Sequence, residues 1–165
     1  MAFSSLPFVD DRSLHLVDVE NLIGTPNPRC GEVDQIASLY AVVAGVAPMD
    51  QEVIASSHRC AKSAWFEWRT TARRLVRSGI DGADRALLEV LENEQPGQRY
   101  SRVVIGSGDG IFAEPAARLQ ASGVNVTVVT REHSLSRRLR LATLDIRFLD
   151  APLAEGAAVA MLEAA

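Results

Sequence analysis

Apolar residues recur along this chain in two alternating rhythms: short unbroken runs, and longer stretches with an apolar residue at every third or fourth position. The first run, Leu14-His15-Leu16-Val17, ends at Asp18 and predicts a strand over 14–18. A loop holding Gly24, Pro26, Asn27, Pro28 and Gly31 follows it. Val33, Ile36, Ala37, Tyr40 and Val43 then make a helical stripe over 32–44, closed by Gly45 and Pro48. Further strands are expected at 52–57, 74–76, 102–105, 124–129 and 145–149. Helices are expected at 59–71, 82–93, 112–121 and 135–142.

Strands thus alternate with helices, and the runs at 103–105 and 124–129 are apolar with little alternation. That is the pattern of a parallel sheet covered on both faces. With right-handed crossovers it gives a three-layer α/β sandwich around a mainly parallel sheet. Ligands in such sheets bind at the carboxyl ends of the strands. The 165 residues suffice for one domain, read here as 14–150. Residues 1–13 read as a flexible lead-in. The alanine-rich tail, 151–165, would form a helix that docks on the core or on a second copy of the chain in a homodimer.

Composition narrows the function. The hydrophobic fraction of 47% supports one core, built mainly from Val, Leu, Ile and Ala. A net charge of −4 excludes a polycation, so nucleic acid would have to bind at a local patch. Cys30 and Cys60 have neither CxxC nor zinc spacing and read as reduced thiols. The N-terminus lacks a basic region followed by an apolar signal segment. No apolar run approaches the ~18 residues that span a bilayer. The expectation is a cytoplasmic protein without a membrane partner.

Three acids stand where this architecture gathers ligands. Asp18 ends the first apolar run, Asp109 follows Ile105-Gly106-Ser107-Gly108, and Asp84 opens the helix at 82–93. A carboxylate is costly to desolvate unless it is paired or bound to a cation. Three acids from distant parts of one sheet would suit a hard divalent cation such as Mg²⁺ or Mn²⁺, which takes oxygen ligands and keeps several waters. A cation held that way serves phosphodiester chemistry. Asn21 would add an amide oxygen or orient a water, and Ser107 would bond a phosphate or a ligand water. Each residue also has a purely structural reading. Asn21 would make an Asx turn, Asp109 would cap the next helix, and Asp81 would cap the helix at 82–93 with Asp84 facing the helix dipole.

The runs Val17-Asp18-Val19-Glu20-Asn21, Gly82-Ala83-Asp84-Arg85-Ala86-Leu87 and Ser107-Gly108-Asp109-Gly110-Ile111-Phe112 resemble the NYN-domain family of PIN-like nucleases, in order and separation, over about 14–149. The resemblance implies a Rossmann-like, PIN-like sheet, a divalent metal (Mg²⁺ or Mn²⁺), and RNA as substrate of an endoribonuclease. It makes Asp18, Asp84 and Asp109 the acidic metal site, with Asn21 and Ser107 beside it. Two positions depart from the family pattern. Ile111 stands where many members carry a second acid, and Glu89 where many carry an aspartate. These departures imply one metal rather than two, or a module that binds RNA without cutting it.

RNA would be held by arginines. Arg59, Lys62, Arg69, Arg73, Arg74 and Arg77 crowd 58–77, and Arg131, Arg137, Arg138 and Arg140 crowd 131–140. Of these, Arg59, Arg69, Arg73, Arg131, Arg137 and Arg138 are the phosphate-contact candidates, the alternative being an ordinary solvated face. Trp65, Phe66 or Trp68 would stack an unpaired base or pack in the core. Other chemistries fit less well. Gly106-Ser107-Gly108-Asp109-Gly110 lacks the third glycine of a dinucleotide loop, and Asp109 would repel pyrophosphate. A phospho-accepting receiver domain needs a lysine after its fifth strand, and the only lysine is Lys62. His15, inside a strand, reads as a core residue, and His58, at the end of the second strand, has a phosphate contact only as its lesser reading.

Overall fold

The computed structural model describes residues 10–150. Six strands form one all-parallel sheet: β1 (Asp10–Asp18), β2 (Gln51–Ser56), β3 (Arg73–Val76), β4 (Tyr100–Gly106), β5 (Asn125–Thr130) and β6 (Asp145–Phe148), in the order β3-β2-β1-β4-β5-β6. Six helices connect them: α1 (Val19–Ile23), α2 (Glu32–Ala44), α3 (Ala61–Glu67), α4 (Gly82–Asn93), α5 (Ala113–Ala121) and α6 (Arg137–Ala142). The alternation of side chains along each strand sorts the core into two layers. Leu14, Leu16, Val53, Val103, Ile105 and Val128 meet α4, α5 and α6 on one face. Val17, Ile54, Val104 and Val129 meet α1, α2 and α3 on the other. The result is the three-layer α/β sandwich that the unbroken apolar runs imply.

Strand order reverses between β1 and β4. The chain leaves β1 toward one face and β4 toward the other, so a crevice opens above the carboxyl ends of these two neighbours. Asp18 ends β1 and Ser107-Gly108-Asp109 follows β4. The amino end of α4 enters the same end of the sheet, because β3 runs parallel to β2 and delivers the chain there.

Several elements differ from the expected bounds, each for a tertiary reason. β1 begins at Asp10 because Asp10 and Ser13 pair with Tyr100 and Arg102 of β4, across a register shift. Backbone pairing carries the strand through polar residues that an apolar pattern does not mark. α1 occupies what reads as loop: Val19 and Leu22 are buried, Asp18 caps the helix and Gly24 ends it at φ 87°. α3 is shorter than 59–71. Trp68, its C-cap, donates its indole N–H to Glu52 at 3.1 Å, and the Arg74 guanidinium takes up the carbonyls of Trp68, Thr70 and Ala72. His15 is fully buried, its ring nitrogens 3.0 Å from the Tyr40 hydroxyl and 3.1 Å from Asp50 Oδ2. Burial pushes the His15 pKa down against the pull of Asp50. The tail at 151–165, and with it the expected homodimer contact, lies outside the described residues.

Candidate metal centre

Asp18 is buried where β1 becomes α1, and its Oδ1 accepts the Asn21 N–H at 3.0 Å. This N-cap bond turns the carboxylate toward its own helix. Asp84, in the first turn of α4, is 7% exposed, so more than nine-tenths of it is withdrawn from water. Asp109 is half-buried and accepts the Ile111 N–H at 2.8 Å through Oδ1.

Glycines let the supporting loops close in. A Cβ on Gly82 would lie 2.3 Å from the Arg77 carbonyl oxygen, so only glycine lets α4 start this close to the β3–α4 loop. A Cβ on Gly108 would lie 2.2 Å from the Ser134 carbonyl oxygen. The Gly108 N–H donates to Asn21 Oδ1 at 2.9 Å, and its carbonyl accepts the Ser136 N–H at 2.8 Å. Asn21 therefore ties the end of β1 to the loop after β4. Its amide oxygen accepts that bond with one of its two lone pairs. Ser107 is fully buried, and its Oγ accepts the Asp109 N–H at 3.2 Å. It shapes the loop instead of facing a phosphate.

Asp81, Asp84 and Asp109 each bring a carboxylate oxygen within 4.8 Å of the others. Asp18 is not a member of this group; its Oδ1 caps α1, and it lines the same cavity as Asp81 and Asp84. Asp81 is the residue that sequence reasoning assigned only to capping. It holds the N-cap position of α4 at φ 54°, ψ 32°, and its side chain makes no capping hydrogen bond. Nothing in the sequence distinguishes an aspartate that caps from one that turns away in the left-handed region.

The electrostatics follow from crowding. Burial pushes the Asp84 carboxyl up to about 8, with the negative charges of Asp18 and Asp109 adding to the effect. Burial also pushes Asp18 up to about 6, opposed by the Asn21 N–H and by the neighbouring Asp84 carboxyl. Asp84 Oδ1 is buried with no hydrogen-bond partner among the described residues. A buried acceptor without a donor costs about 1–3 kcal/mol, and more when charged. Three converging carboxylates with an orphaned oxygen are a donor set that suits a hard, oxygen-seeking cation. The adjoining cavity, about 190 Å³, is lined by Asp18, Glu20, Ser57, Arg77, Asp81 and Asp84, among others. A wider cleft of about 300 Å³ beside Leu91, Pro96 and Leu119 gathers no acids.

The remaining candidates scatter. Glu89 is tied to Arg77 on the surface, so it adds no carboxylate to the centre. Ile111 packs against the core. Arg59 is exposed just past β2 and pairs with no acid among the described residues. Arg137 and Arg138 are exposed at the start of α6, which follows β5 at the same end of the sheet as the acids. Arg69 pairs with Asp34 at 3.3 Å. Arg73 starts β3 and pairs with Glu94 at the far end of α4, so it lies at the opposite end of the sheet from the carboxylates. Arg131 donates through Nε to the Leu22 carbonyl at 2.6 Å and steadies α1. Trp68 is core, whereas Trp65 and Phe66 are 51% and 74% exposed. His58 bonds the Ser78 hydroxyl at 2.7 Å, linking the loops after β2 and β3.

No protein-family model matches this chain, and no curated protein matches it either. Among solved structures it is similar to a protein of unknown function from Vibrio parahaemolyticus, at 18% identity and a TM-score of 0.60, over 87% of this chain and 95% of that one. That likeness shows the α/β fold. No helix among the described residues is long and apolar enough to cross a membrane.

Proposed function

We propose that this protein is a divalent-metal-dependent endoribonuclease with its reaction centre at the carboxylates above β1 and β4. The observation that carries the reading is the buried Asp84 carboxylate, with one oxygen unpartnered and Asp81 and Asp109 converging on it. Such a group is unfavourable as bare anions and favourable around a cation. The resemblance to NYN-domain nucleases supports the same position for the acids.

A bound Mg²⁺ or Mn²⁺ would supply Lewis-acid polarisation of a phosphoryl oxygen and a more acidic water. The chain's own residues do the rest. Asp84 and Asp109 offer the oxygens, while Asp18 lines the same cavity and its negative charge helps keep the Asp84 carboxyl raised. Asn21 and Ser107 keep the loop after β4 in register with β1. Arg59, Arg137 and Arg138 offer phosphate contacts at the same end of the sheet.

A single-stranded RNA oligonucleotide incubated with Mn²⁺ tests this. Cleavage should require the metal, and Asp84→Asn should abolish it while RNA affinity persists. Absence of cleavage with every divalent cation tried, or equal cleavage by Asp84→Asn, would overturn the reading. A second reading, an RNA-binding module without catalysis, is favoured by Ile111 packing into the core and by Glu89 being tied to Arg77. It predicts salt-sensitive RNA affinity and no cut product under any metal.

A further inference from the structure

We propose that Asp81 is a direct ligand of the cation, completing a three-carboxylate set with Asp84 and Asp109. This rests on the cation-site reading above and names a ligand that the sequence pattern does not reveal. One oxygen from each of the three residues lies within 4.8 Å of the others, and Asp84, more than nine-tenths buried, carries an Oδ1 without a partner among the described residues.

The path of the chain at α4 is consistent with that role. An aspartate at an N-cap ordinarily has extended backbone and accepts a hydrogen bond from the second or third amide of its helix. Asp81 has neither property. It adopts the left-handed conformation and makes no cap bond, although its carbonyl still accepts the Arg85 N–H at 2.9 Å and starts the helix. Its carboxylate instead approaches two others. The one basic residue lining the adjoining cavity, Arg77, is paired with Glu89. No side-chain cation lining it is therefore left to offset the third negative charge. A hard cation accepts one oxygen from each residue and fills its other positions with water.

Asp81 is exposed while Asp84 is buried, so the set is open on one side. That side is where a phosphate oxygen would replace a water. Asp18 lines the same cavity with its Oδ1 committed to α1, and is a positioning residue in this arrangement.

Mn²⁺ binding tests the assignment, read as loss of the free-ion paramagnetic resonance signal on titration with the intact protein. Asp81→Asn suits the test because asparagine tolerates the left-handed region. Melting in EDTA checks that the variant folds. The expected result is a roughly tenfold or larger loss of Mn²⁺ affinity, since affinity for hard cations follows ligand charge. Mn²⁺ binding by Asp81→Asn as tight as wild type would overturn the assignment and leave the ribonuclease reading standing. A wild type that binds Mn²⁺ through Asp81 but cuts no RNA would uphold the assignment and sink the ribonuclease. A wild type that binds no Mn²⁺ would overturn both.

Discussion

Asp18, at the end of β1, and Asp84, in the first turn of α4, bury their carboxyls on one cavity, and the negative charge of Asp18 adds to the burial that pushes Asp84 up. β1 and α4 thereby meet through a titrating contact. A cation arriving at Asp84 would compete with protonation of its carboxyl.

The first prediction concerns pH. Both acids have folded-state pKa values raised above the ordinary 3.8, to about 6 and about 8. Above 3.8 the unfolded chain has released protons that the folded chain keeps, so stability falls as pH rises. The fall should run from about pH 4 to about pH 8 and then level off as Asp84 ionises. Urea unfolding in EDTA across that range measures it. Added Mn²⁺ should restore stability at the alkaline end, and a profile that rises toward pH 8 in EDTA would contradict the burial argument.

Removing the buried charge should help the metal-free fold. Asp84→Asn in EDTA at pH 8 is expected to be more stable than wild type by about 1–3 kcal/mol, because an uncompensated buried anion is gone. The same variant should lose the rise in melting temperature that Mn²⁺ gives wild type. Thermal melts with and without Mn²⁺ read both effects.

The tie between Asn21 and Gly108 should be worth a hydrogen bond and an ordered loop. Asn21→Ala is expected to cost about 1–2 kcal/mol, since the Gly108 N–H loses its acceptor. Hydrogen exchange at residues 107–111 should quicken. Gly108→Ala is expected to cost more, about 3 kcal/mol or above, because its Cβ meets backbone oxygen instead of a flexible side chain.

RNA affinity should distinguish the arginines by their end of the sheet. Arg59→Ala and Arg138→Ala are expected to weaken binding and each to lower the salt slope by about 1. Arg73→Ala, at the opposite end and paired with Glu94, should leave both unchanged. Binding to a labelled oligonucleotide at several salt concentrations measures this.

How far the sequence was legible depends on what each residue's role rests on. The strands were readable because burial on both faces leaves an apolar run, and α2 and α4 because one buried face leaves a helical stripe: 32–44 and 82–93 match their helices. Asp18 and Asp109 were readable as strand-end acids because a carboxylate after an apolar run is rare without cause. α1 was hidden, since its turns are too short to show a helical period. Arg69, Arg73 and Arg131 looked alike as free cations, and only tertiary partners separate them. Asp81 holds the N-cap position that the sequence suggested, without the side-chain cap bond. Whether an N-cap aspartate caps depends on its φ, and sequence does not encode that angle when the residue is not glycine.

The most direct measurement is anomalous diffraction at the manganese edge from crystals soaked in Mn²⁺. The expected result is a peak bonded to Asp84 Oδ1 and flanked by Asp81 and Asp109, with Asp18 outside the inner coordination sphere. A map without a peak there, with Asp84 Oδ1 still lacking a partner, would contradict the cation site on which the proposed chemistry depends.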